Sequence, residues 1–75
     1  MREFTDLLLS RLEQSALEAR ACAEAIERAA QEVSDRGDLQ AACNEIARMQ
    51  TSLRQVTDGR EHLLEMLRGV GFVPG

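Results

Sequence analysis

Few side chains in this sequence are equipped for chemistry: one histidine, two cysteines and some closely spaced acids. His62 follows Asp58 by four residues and precedes Glu65 by three, so on a helix its imidazole sits near two carboxylates. Such a group can move protons or ligate a metal. However, the position falls just off the apolar stripe of its helix, where an exposed surface histidine is expected. A zinc site needs convergent ligands, and Cys22, Cys43 and His62 are too scattered to close one within a single chain. The acid pairs Glu13–Glu18 and Glu61–Glu65 have arginine neighbours and read as helix-surface charge, not as an acid/base dyad. Glycine-rich phosphate loops, nucleophile motifs and zinc patterns are all missing. The tripeptide Arg36-Gly37-Asp38 lies where turn chemistry already calls for Gly and then Asp. The expectation is a non-enzyme with no catalytic residue, cofactor, metal or small-molecule substrate.

Composition supports that expectation. The chain has 75 residues, 44% hydrophobic and 29% charged, enough for one small domain of marginal stability. Aromatics are 3%, Phe4 and Phe72 alone, which leaves little to line a pocket. Net charge is −4 and every basic residue except His62 is arginine. Arg20, Arg28, Arg48 and Arg54 are interspersed with acids and form no basic stripe, so nucleic acid is not the expected partner. The apolar run Leu7–Leu9 is too short for a signal peptide or a membrane span, and a cytoplasmic protein is the default expectation.

The elements that must position these residues are two helices. Apolar residues recur at alternating steps of three and four from Leu9 to Val33, and again from Leu39 to Val70, with Arg60 the one polar intruder. A first helix is expected over about 5–34, capped by Thr5 or Asp6. A turn follows over 35–38, with Gly37 left-handed and Asp38 capping the next helix. The second helix is expected over about 39–68, with a short tail over 69–75. Thr57-Asp58-Gly59 is its weak point, although the periodicity passes through without a slip. The fold class is therefore all-α, an antiparallel helical coiled-coil hairpin that completes a four-helix bundle by dimerisation.

In such a hairpin residue i lies level with about residue 73 − i, counting from a turn centred near Arg36–Gly37. Leu12, Ala16, Ala19, Ala23 and Ile26 are then expected to meet Ile46, Met49, Leu53 and Val56 along the seam, small against large. On that reading Leu53→Asp unfolds the hairpin. Arg60 falls across from Glu13, as either an ion pair or a solvated arginine covering apolar surface. Cys22 and Cys43 differ in height by ~12 Å at the helical rise, too far for a disulfide. Both are expected as buried, reduced thiols.

Large apolar residues crowd the open end, opposite the turn. Phe4, Leu7 and Leu8 meet Leu64, Met66, Leu67, Val70 and Phe72 there, more than one seam can cover. These residues are the expected protein interface, with a second copy or another helical protein as partner. In size and two-helix layout the chain resembles the hairpin co-chaperones that hold type III secretion needle subunits. It is similar also to the dimeric hairpin that binds paired RNA loops and controls plasmid copy number. The first resemblance implies a small adaptor, chaperone or inhibitor-like regulator, and the second a nucleic-acid-binding helical dimer. The likeness is one of layout, and no residue role carries over from it.

Overall fold

A computed structural model describes residues 2–75. It contains α1 (Arg2–Arg36), α2 (Leu39–Arg48) and α3 (Gln50–Gly69), and no strand among the described residues. Neither Gly nor Pro interrupts the sequence from Arg2 to Arg36, and α1 accordingly runs the whole stretch as 35 residues. It starts earlier than expected, so Thr5 and Asp6 lie inside the helix and do not cap it. It also ends later, at Arg36, because the backbone stays helical until Gly37, at φ +59°. The Gly37 amide donates to the Val33 carbonyl at 3.0 Å, closing the left-handed type of helix end. Asp38 then starts the return arm, its Oδ1 accepting from the Ala41 amide at 2.9 Å.

The return arm is interrupted at Met49, whose amide donates to Ile46 in a tightened turn at 3.3 Å. Winding resumes at once, with the Leu53 amide donating to the Met49 carbonyl at 2.8 Å. At Asp58–Gly59, the weak point in the pattern, α3 continues unbroken.

α1 lies lengthwise against both α2 and α3 in a rod measuring 52 × 20 × 18 Å. The contact line is made of small residues. Ala25, Ala29 and Ala42 are the buried core, at 3%, 5% and 7% exposure. Ser15, Glu18 and Cys22 continue it on α1, and Glu45, Ser52, Val56, Gly59 and Leu63 on the return arm, all half-buried. Arg28 pairs with Glu45, and Ser15 approaches Gly59, so the antiparallel register falls within one residue of the expected one.

The expected seam itself is displaced by one stripe. Met49 and Val56 are half-buried, but Leu12, Ala16, Ala19, Ala23, Ile26, Ile46 and Leu53 are exposed. Two helices meeting along a line come closest where side chains are smallest, and leucines on that line would hold the axes apart. The large side chains stand beside the contact line, not on it. The thiols divide in the same way: Cys22 is half-buried in the contact line, whereas Cys43 is exposed, and both are free.

Candidate interaction surface

The displaced stripe creates the most distinctive surface of the molecule. Leu12, Ala16 and Ala19 of α1 share a shallow groove with Val56, Leu63 and Leu64 of α3, with Ser15 on its floor and Arg60 at its side. The same steps of three and four carry the α1 stripe through Ala23 and Ile26 towards Val33. On the return arm they carry it through Leu53 and Ile46 to Leu39. The exposure is substantial: 50% for Leu53, 53% for Ile26, 55% for Ile46 and 71% for Leu39. One broad side of the rod is thus apolar from open end to turn.

The other side is polar. Arg11, Gln14 and Glu18 of α1 face Gln55, Asp58 and His62 of α3 across a second groove, again with Ser15 and Gly59 at its base. Because Ser15 borders both grooves, it marks the line where the helices touch. Gln14 Nε2 donates to Glu18 Oε1 at 3.4 Å, while Glu18 Oε2 is buried without a hydrogen-bond partner. His62 is exposed beside Asp58, as expected. No three His, Cys, Asp or Glu side chains converge to hold a metal ion among the described residues.

At the open end the expected interface residues divide. Phe4, Leu8, Leu64, Met66 and Leu67 are half-buried. Leu7, Val70 and Phe72 remain exposed, at 53%, 40% and 63%. The tail turns at Gly71, φ +99°, where the Phe72 amide donates to Leu67 and the Gly71 amide to Arg68, both at 3.0 Å. This paired hydrogen-bond pattern brings Phe72 to Leu67 and Leu64, with Val73 and Pro74 completing a small apolar depression. The tail leans on the end of α3 without sealing it.

Charges flank these surfaces. Glu45 accepts from Arg28 Nε at 3.0 Å across the hairpin and from Arg48 at 3.1 Å along its own helix. Two of the four arginines considered for nucleic-acid contact are therefore paired with one carboxylate. Arg60 does not reach Glu13 as the register implied; it pairs with adjacent Glu61 at 2.8 Å, its side chain 69% exposed. From the groove edge the guanidinium turns to the nearest acid facing solvent, a shorter path than crossing the hairpin.

The apolar pattern included Ala42 but did not single out the contact-line residues Ser15, Cys22, Ala25, Ala29 and Gly59. Their signal is a second, smaller-residue periodicity running beside the leucine stripe.

These features define a class: an all-helical hairpin with a small-residue seam, one apolar side and one polar side. No family model matches the chain, and no curated protein or solved structure matches it either. No helix among the described residues is long and apolar enough to cross a membrane.

Proposed function

We propose that this chain is a non-enzymatic protein-interaction module, half of a four-helix bundle whose apolar side is covered by a second copy of itself. The observation that carries this reading is the continuous exposed stripe from Leu12 and Leu53 to Ile46 and Leu39, beside a core of three buried alanines among the described residues. Burying three alanines offsets little of the entropy of ordering such a chain. Covering the leucines and isoleucines is worth about 1.5–3 kcal/mol for each side chain fully removed from water.

A second copy suits the dimensions. A side 52 Å long and 20 Å wide presents roughly 1,000 Å², above the ~800 Å² per partner of a standard stable interface. Its chemistry is also self-complementary. Apart from Arg60 the stripe carries no charge that would demand an opposite sign on a partner. Two such sides stacked give four helices around one interior, with the alanine positions of one hairpin receiving larger side chains of the other. In this role the hairpin works by helix packing, as a small adaptor, chaperone or inhibitor-like regulator. The apolar cluster of Leu64, Leu67 and Phe72 extends the contact at the open end.

Sedimentation equilibrium tests the reading. The expected mass is twice the 8.3 kDa of one chain, with a melting temperature that rises with concentration. A fully helical species that stays at one chain mass across the concentration range overturns it.

A further inference from the structure

Resting on that bundle, we infer that the two copies pair in opposite directions, the acidic turn of one beside the open end of the other. Two stackings bury the apolar side equally: turns together, or turns at opposite ends. Two observations separate them.

The first is charge distribution. Residues 21–50, the turn half, hold six acids and three arginines, whereas the rest of the chain holds seven acids and six arginines. The turn half is therefore at −3 and the open half at −1. Turns together would set the two most negative regions side by side, within the distance over which charges still interact at physiological salt. Opposed turns place each acidic half against a nearly neutral one.

The second is Arg60, the single charged side chain lining the apolar groove. With turns together, both Arg60 side chains enter one layer of the bundle from the two copies, like charge against like. With turns opposed, each sits about six residues from the midpoint of the return arm, so the two are separated by roughly 18 Å along the bundle. Each then keeps its own Glu61, 2.8 Å away.

Pulsed dipolar spectroscopy on a dimer labelled at the turn reads the direction. Arg36→Cys in a Cys22→Ala, Cys43→Ser background carries the nitroxide at a position whose side chain is 73% exposed. The length of the rod, 52 Å, sets an expected distance between labels of about 45–55 Å. A dimer giving a distance below about 25 Å overturns the opposed pairing and leaves the bundle standing. A sample that sediments as a single chain removes the bundle itself, and the pairing direction with it.

Discussion

Ser15 Oγ lies 3.0 Å from the point a Cβ on Gly59 would occupy, making this pair a point of close approach between α1 and α3. Gly59 carries a helix-propensity penalty of about 1 kcal/mol relative to Ala, and its missing side chain is what admits Ser15. Gly59→Ala alone is expected to be near neutral, the propensity gain offset by crowding of the hydroxyl. Combined with Ser15→Ala, the same change should stabilise the fold by up to about 1 kcal/mol. Thermal melts of the four members of this cycle measure the coupling, and strict additivity would show that the approach is looser than described.

Substitutions on the contact line and on the apolar side should have different consequences. Ala25 is 3% exposed against the return arm, so Ala25→Leu overpacks the seam and should lower stability by about 1–3 kcal/mol. Leu53, at 50% exposure, stands on the apolar side. Leu53→Asp should therefore weaken association first, with a single-chain mass of 8.3 kDa at concentrations where the parent is double that. Parallel circular dichroism and sedimentation separate the two effects. If Leu53→Asp abolishes helicity while Ala25→Leu is silent, the leucine stripe is the true seam.

Glu45 binds Arg28 at 3.0 Å across the hairpin and Arg48 at 3.1 Å along α2. Its side chain is 18% exposed, but both arginines are largely in solvent, at 58% and 71%. Glu45→Gln should cost no more than about 1 kcal/mol, and the loss should shrink as salt is added. A denaturant titration at low and high ionic strength provides the check.

The turn depends on two adjacent residues with different duties. Asp38→Ala removes the acceptor for the Ala41 amide and should cost about 1 kcal/mol. Gly37→Ala keeps every hydrogen bond but places a Cβ at φ +59°, and about 1 kcal/mol is expected there too. Chemical denaturation of each variant measures these costs. A silent Gly37→Ala would mean that the turn has relaxed away from the left-handed conformation.

Much of the architecture was legible in the residues. Steps of three and four gave helices, the Gly37-Asp38 pair gave the turn, and the register counted from it falls within one residue of the observed Arg28–Glu45 and Ser15–Gly59 pairings. The choice between neighbouring stripes was not legible. Leu12, Ile26, Ile46 and Leu53 look like seam because large apolar side chains usually face inward. A lone hairpin has only one line of contact, which Ser15, Ala25, Ala29 and Gly59 occupy because their size lets the backbones approach. Alanine and serine are ambivalent in any hydropathy pattern, and only their spacing identifies them. The turn at Met49 was also hidden, since Ala47, Arg48 and Gln50 are sound helix formers and no local breaker marks the site. Gly59, the residue that looked like a breaker, stays helical because the close pairing with α1 uses its bareness.

The tightened turn at Met49 cuts the return arm so that only ten residues, Leu39–Arg48, wind between it and the loop. A segment that short does not hold helical shape by itself in water, and it borrows its order from α1. Yet α2 holds Ala42 in the core and Glu45 on Arg28, whereas α3 buries no residue. Unzipping should therefore start at the open end and stall at Met49, with deuterium entering the backbone of Gln50–Gly69 well before that of Leu39–Arg48.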